Sequence, residues 1–246
     1  MTARLRAMVV SQQGGSRLSA AVLVAAALLA LGVGGAAASP RVVTHRQARA
    51  VATAINLRQA DLPTLKQVGS VTTTPEDAGG EQLSACAGGV PDRLAFANVT
   101  SPNFVGNGAA ATTISSSTEI FPSAGLVAKD LAAARSPRGQ RCIQEALQAS
   151  LRSQAQKNET FTASLSLRPA PVSGADTSVE VRVAITATVK TNGKSVSVPL
   201  TADFIGFGWG QAEVTMSVLT SFGPPPASLE SRLCAILLSR ARAAIG

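Results

Sequence analysis

The chain of 246 residues has few of the side chains that most catalytic and metal sites need: it contains one histidine, three cysteines, one tryptophan and no tyrosine. Three cysteines exclude a disulfide-dense small scaffold and leave no Cys-x-x-Cys pair for a metal site. The shortage of aromatic residues argues against a base-stacking surface for nucleic acids. What is present, 46% hydrophobic and 15% charged residues, excludes a disordered tail.

The N-terminal segment has the pattern of an export signal. Three arginines precede an uncharged run over residues 18–39, which is apolar in its centre and ends in small residues. This order predicts a signal peptide over residues 1–38 that is cleaved before Ser39. The alternative is an uncleaved anchor, because about 20 apolar residues can cross a bilayer. No later segment is long and apolar enough to span a membrane.

The mature chain, residues 39–246, is predicted to form a single domain, because about 200 residues can bury most of their surface in one core. Loss of the three signal arginines leaves 19 basic against 14 acidic residues, a net charge of +5. The remaining basic residues are scattered along the sequence. We therefore expect a solvated surface rather than a nucleic-acid interface, with at most a weak attraction to acidic envelope surfaces.

Apolar spacing predicts helices over residues 44–60 and 123–135, a third from about residue 138, and a last one capped by Ser228. Residues 74–90, which include the adjacent carboxylates Glu76 and Asp77, are expected to form a loop. Residues 93–99 and 112–121 are predicted strands. In the second of these strands Ser116 and Thr118 share the core side with two isoleucines.

The second half of the chain changes to a period of two, which is typical of strands. Apolar residues alternate with polar ones over residues 161–168, 179–190, 196–204 and 214–218, and Asn192-Gly193 is a hairpin-turn signal. These segments predict an antiparallel meander with one buried face. The fold class expected is α+β, with a meander of about four to six strands and helices packed on one face.

The three cysteines allow one disulfide bond and one leftover thiol. In an exported chain we pair Cys86 with Cys142, because Cys234 lies in the apolar stripe of the last helix and reads as a small buried hydrophobe. Two alternatives stay open: three reduced and buried cysteines, or a reactive thiol at Cys142 near a helix N-terminus.

The residues that could carry catalysis are few. His45 would be close to the mature N-terminus, where chain ends fray, so neither a catalytic triad nor a metal site is expected. Glu119, Asp203 and Glu213 could supply paired carboxylates for glycoside hydrolysis, but their spacing singles out no pair. No catalytic residue, metal ligand or cofactor is predicted.

Residues 203–210 depart from ordinary strand composition, because three glycines alternate with apolar residues. Glycine in a strand marks a bulge or a close backbone approach. One interpretation is a lipophilic pocket in which Phe204, Phe207 and Trp209 bind a ligand. The other is a bulged hairpin whose aromatic rings fill the core.

Several short segments of the mature chain are shared with a known group of proteins. They read, in chain order, INLRQADLP, LSACAGG, VTSPNF, SSSTEIFPSAGLVAKDL, RCIQEAL and DFIGFGWGQAEVTMSVL. In this order the chain resembles small secreted actinobacterial proteins that look like the extracellular sensor domain of transmembrane Ser/Thr kinases and, more widely, the PsbP-like α+β group. The resemblance implies a non-enzymatic module. Those sensor domains tend to carry two disulfides, whereas three cysteines permit one.

The sequence therefore predicts a secreted, non-catalytic binding module of the bacterial cell envelope. Its ligand is not identified by any motif; a lipid or another apolar envelope molecule, a glycan fragment and an envelope protein are all candidates. The alternative is a protein–protein interaction or scaffold subunit without a small-molecule site. A hydrolase that uses serines and carboxylates is a third hypothesis.

Overall fold

The structure, a computed structural model, describes residues 42–73, 78–106, 111–155, 159–191 and 194–246. Within these ranges five α-helices pack against one open antiparallel sheet of nine strands, which confirms the α+β class. The helices are α1 His45–Ile55, α2 Ala78–Ala87, α3 Ala124–Arg135, α4 Pro137–Gln154 and α5 Ala227–Ile245. The strands are β1 Lys66–Val68, β2 Thr72–Thr73, β3 Ala97–Thr100, β4 Asn103–Gly106, β5 Thr112–Ile120, β6 Glu159–Arg168, β7 Thr177–Thr191, β8 Lys194–Trp209 and β9 Ala212–Ser221.

The sheet is built around a meander of its last four strands. Its order is β1-β4-β5-β9-β8-β7-β6, and β3 pairs with the end of β5 that β4 does not cover, with β2 beside it. The predicted meander is thus present as β6 to β9. β7 and β8 pair along their whole length, from Thr177↔Gly208 to Thr191↔Lys194. The predicted Asn192-Gly193 turn, the signal peptide and Glu76-Asp77 lie outside the described residues.

The helices lie on both faces of the sheet, so the expectation that they share one face was wrong. α1 and α5 pack on the side that carries Ile205 and Phe207 of β8, which we call the α5 face. α3 and α4 pack on the side of Phe204, which we call the α3 face. Neighbouring residues of a strand point to opposite faces, and β8 is apolar on both. The other strands alternate polar and apolar residues, which predicts only one buried face. The sequence therefore does not show that the sheet is covered on both sides.

The polar residues on the core side of β5 have buried partners on the α5 face. Asn56 is the C-cap residue of α1, directly after Ile55. Its Nδ2 donates to the Val99 carbonyl oxygen at 2.8 Å. Its Oδ1 accepts hydrogen bonds from Ser116 Oγ at 2.9 Å and Thr118 Oγ1 at 3.1 Å. Because each of these groups is hydrogen-bonded, burying them costs little. The network fastens the end of α1 to the centre of the sheet.

Several element boundaries differ from the prediction. α1 ends at Ile55 instead of residue 60. The expected loop over residues 74–90 contains α2, which ends at Gly88, a residue of positive φ. The strand expected from residue 93 begins only at Ala97, after a 3-10 turn that follows Pro91. The last helix begins at Ala227 after Pro226, and no side chain caps it.

A glycine in β8 allows α3 to approach the sheet closely. A Cβ atom at Gly208 would lie 2.6 Å from Val127 Cγ1 and 3.1 Å from Thr177 Cγ2. Both neighbours are branched side chains, and Val127 is buried. The close approach expected from the glycines of residues 203–210 is therefore present at Gly208, and its partner is a helix.

We expect Gly208→Ala to lower the free energy of unfolding by about 1–3 kcal/mol, because the added methyl group overpacks the α3–β8 contact. Urea denaturation followed by circular dichroism measures the change. Gly125→Ala is the matched control: it lies exposed near the start of α3, the nearest atom to its added Cβ is 3.8 Å away, and alanine favours a helix. Equal stabilities of the two variants would contradict the steric explanation.

Candidate functional site

The structure joins Cys86 to Cys142, as predicted, with 5.9 Å between the two Cα atoms. The bond ties α2 to α4 next to a small apolar cluster that contains Leu83 and Ile143. Cys234 is free and fully buried, and burial raises the pKa of its thiol to about 12. It is therefore a buried, protonated thiol rather than a nucleophile.

The structure does not bring the three predicted ligand-binding aromatics together. Phe204 points into the core of the α3 face, whereas Phe207 and Trp209 lie on the α5 face. Phe207 is completely buried, and the Trp209 ring lies 4.8 Å from the guanidinium carbon of Arg242. The sheet separates the rings, so they cannot line one pocket. Ligand binding by any one of them stays a prediction.

A set of polar side chains shares the α3 face on the other side of β8. They lie on β3, β5 and β9, and we call them the polar strip: Asn98, Ser117, Glu119, Glu213, Thr215 and Ser217. All six are buried. On the same face β6, β7 and β8 carry the apolar residues that pack under α3 and α4. One face of the sheet is therefore divided lengthwise into a polar half and an apolar half.

The polar strip follows from the register of the strands. Asn98 is opposite Glu119, Glu119 is opposite Glu213, and Glu213 is opposite Gly208. The next row runs from Thr100 through Ser117 and Thr215 to Gly206, so a glycine separates the polar side from the apolar side in both rows. In the third row Ser217 is opposite Phe204, and this ring borders the strip.

Hydrogen bonds order one end of the polar strip. Asn98 Nδ2 donates to Glu119 Oε1 at 2.7 Å, and Asn98 Oδ1 accepts from Ser117 Oγ at 3.4 Å. The amide thereby fixes the Glu119 carboxylate as an acceptor. Two glutamates directly opposite each other repel unless a donor or a proton lies between them. The row therefore brings several hydrogen-bond acceptors together at one place on the sheet.

Asp130 of α3 reaches the same row of the sheet. Its Oδ1 accepts a 2.7 Å hydrogen bond from the Val90 amide, and a Cβ atom at Gly89 would lie 2.5 Å from that oxygen. Burial raises the pKa of Asp130, and the nearby charge of Glu119 raises it further, while the Val90 amide and a hydrogen bond with Glu213 lower it. The sequence ACAGGV therefore places a backbone donor against a buried acid. This acid was missed from sequence, because it lies in an ordinary helical pattern.

The other candidate residues of the sequence lie apart from the polar strip. His45 begins α1 on the surface, where its ring meets Phe96 edge-on with 5.6 Å between the ring centres. Asp203 is fully buried on the α5 face and accepts two hydrogen bonds from Arg182, one of them from Nε at 2.6 Å. Of the three carboxylates considered for hydrolysis, only Glu119 and Glu213 are neighbours. Within the described ranges, no three His, Cys, Asp or Glu side chains are placed to hold a metal ion.

A second group of buried acids surrounds the Arg182–Asp203 pair. Glu180 and Glu230 are each 3% exposed, and Arg168 lies 3.6 Å from Glu180 Oε1. Burial raises the pKa of Glu230 to about 8, helped by its hydrogen bond with Asp203 and by the charges of Asp203 and Glu180. A neutral Glu230 leaves two carboxylates facing two arginines. Balanced in this way, the cluster stabilises the docking of α5 on the sheet rather than forming a reactive site.

We expect removal of the disulfide by Cys86→Ala/Cys142→Ala to lower the free energy of unfolding by about 4 kcal/mol, since the bond closes a loop of 56 residues in the unfolded chain. Urea denaturation of the oxidised protein and of the variant gives the difference. Cys234→Ala, which leaves the bond in place, is the control for the loss of a buried sulfur. A double variant that unfolds at the same urea concentration as the wild type would contradict the stabilising role of the disulfide bond.

We expect stability to fall as the pH rises from about 5 to about 8, because folded Glu230 keeps a proton that the unfolded chain releases above its ordinary pKa of 4.5. The slope due to this residue is at most about 1.4 kcal/mol per pH unit, and it ends above pH 8. Urea denaturation at pH 5, 7 and 9 measures it. Glu230→Gln should flatten the profile, whereas Glu145→Gln, on the exposed face of α4, should leave it unchanged.

Comparisons with known proteins give similarity at low identity. No family model matches the chain, and no curated protein matches it. Among solved structures, it is similar to the extracellular domain of PknH from Mycobacterium tuberculosis, with 10% identity and a TM-score of 0.42 over 82% of this chain and 98% of that chain. It is also similar to LpqN, involved in cell envelope biogenesis of the same organism, with 8% identity and a TM-score of 0.25 over 70% of this chain and 78% of that chain. The first of these is the extracellular domain of a kinase.

Proposed function

We propose that this chain is an exported, non-catalytic binding module of the cell envelope whose polar strip binds a hydroxyl-rich ligand of the glycan type. The observation that carries the proposal is the division of the α3 face. A core sheet face is ordinarily apolar, because buried carboxylates and hydroxyls are costly without partners. Six such polar side chains lie side by side here, next to a helix-covered apolar half and each at most 9% exposed, and we infer that they form an enclosed recognition site.

Export is supported by two independent features. The Cys86–Cys142 bond is of a kind that persists in oxidising compartments outside the cytoplasm. The N-terminal pattern over residues 1–38 is that of an export signal. Among the helices of the described ranges, none combines the length and apolar character needed to cross a membrane.

The chemistry of the polar strip favours a ligand rich in hydroxyl or ammonium groups. Glu119 and Glu213 are acceptors for such donors and would repel a phosphate or another anion. Asn98, Ser117 and Thr215 both donate and accept, which matches the mixed hydrogen bonding of a sugar ring. Phe204 borders the strip and adds an apolar surface at its edge. A purely apolar lipid tail would offer these groups no hydrogen bonds.

The opposition of Glu119 and Glu213 favours glycoside hydrolysis as a second candidate function. Two carboxyl groups of different protonation state are the usual equipment of that reaction. Asp130, whose pKa is raised by burial, would supply an acid beside these two carboxyl groups. Product formation separates the two functions. A binding module leaves the oligosaccharide intact. A hydrolase releases new reducing ends, and the Glu213→Gln variant of a hydrolase should not release them.

We expect oligomers of N-acetylglucosamine to bind the exported protein, as measured by isothermal titration calorimetry, and dodecanoate not to bind. Thr215→Val removes one hydrogen-bonding hydroxyl from the polar strip and should weaken the oligosaccharide about tenfold. Met216→Leu is the matched control, because the neighbouring side chain points to the opposite face. Binding of dodecanoate alone, or oligosaccharide binding equal in the two variants, would contradict the proposal.

A further inference from the structure

Three exposed arginines lie on the outer side of α1 and just after it, and we call them the arginine stripe: Arg46, Arg49 and Arg58. Arg46 and Arg49 are one turn apart on the exposed side of the helix, opposite the buried Ala48, Ala52 and Ile55. Arg58 follows the helix, and its Nη2 returns to donate to the Ala54 carbonyl oxygen at 2.8 Å. The three guanidinium groups therefore border one open groove of about 620 Å³.

No carboxylate balances this charge in the part of the chain that the structure describes. Residues 42–60 contain no aspartate or glutamate. The nearest acid along the chain, Asp61, is already neutralised, because Arg240 donates to its two carboxylate oxygens at 2.7 and 2.8 Å. Other arginines of the described residues are paired with acids, as in Arg182–Asp203 and Arg93–Glu81. The arginine stripe keeps its whole charge for an external partner.

The position of the stripe along the chain selects the partner. The apolar run of residues 18–39 ends six residues before α1. Six residues span at most about 20 Å, so α1 emerges beside the bilayer surface whether or not the predicted export signal is then cleaved. Basic side chains in this position are attracted to anionic lipid headgroups. We propose that the arginine stripe docks α1 on the surface of an anionic lipid bilayer.

The proposal is independent of the ligand of the polar strip, which lies on the opposite face of the sheet. The test uses the protein purified after export by its host, with the N-terminus that this protein then has. Two kinds of vesicle are compared: phosphatidylcholine alone, and phosphatidylcholine with 30% phosphatidylglycerol. Sedimentation measures binding, and hydrogen exchange measures protection of α1. We expect binding that requires phosphatidylglycerol, that weakens in 0.5 M salt, and that protects α1 but not α4.

Replacing all three residues, Arg46→Gln/Arg49→Gln/Arg58→Gln, should lower the partition coefficient about 100-fold, since each basic residue near the surface contributes about fivefold. The three Arg→Lys replacements keep the charge and should keep the binding, which separates a loss of charge from a loss of fold. The matched control, Lys129→Gln/Arg141→Gln/Arg152→Gln, removes the same charge from exposed positions of α3 and α4.

Three results would overturn the proposal. A control variant that weakens binding as much as the stripe variant would show that binding depends on net charge alone. Binding that is equal on both kinds of vesicle would show that headgroup charge is not recognised. Displacement from the vesicles by 10 mM inorganic phosphate at constant ionic strength would assign the stripe to a free anion instead of a bilayer.

Discussion

The antiparallel register of β5, β9 and β8 is the constraint on which the rest of the structure depends. On the α3 face, this register places polar residues of β5 opposite polar residues of β9. It places Gly206 and Gly208 of β8 at the boundary between the polar strip and the apolar half. A shift of one residue would exchange the two faces of every strand involved. The carboxylates would then enter the core of α1 and α5, and the isoleucines of β5 would lie in the polar strip. The same alignment therefore decides which residues form the apolar core and which form the polar strip.

Buried acidic side chains have different partners on the two faces of the sheet. On the α5 face, Asp203 and Glu180 are matched by arginines and Glu230 keeps a proton, so the charges are balanced within the protein. On the α3 face, Glu119 of the polar strip accepts a hydrogen bond from the Asn98 amide, and Asp130 accepts one from the Val90 amide. Buried ion pairs contribute little net stability but are very costly to break. The charges of the first group are thus compensated by arginines and a proton, whereas Glu119 and Asp130 of the second group are held by neutral amide donors.

Local patterns in the sequence predicted the meander, three of the four expected helices within a few residues at their ends, and the Cys86–Cys142 bond. They could not predict the polar strip, because Asn98, Glu119 and Glu213 are brought together by pairing between distant strands. The split of Phe204 from Phe207 depends on whether a strand is covered on both faces, which its own alternation does not reveal. α2 was missed because glycine and proline near its ends made the whole segment read as a loop.

The two faces of the sheet also give the molecule a direction. α1 contacts β3 and β5 from one side, and the polar strip lies on the other side of the same two strands. A surface that holds α1 is therefore separated from the strip by the thickness of the sheet. Contacts made through the outer side of α1 and hydrogen bonds made by the polar strip are therefore on opposite sides of the sheet, so neither excludes the other.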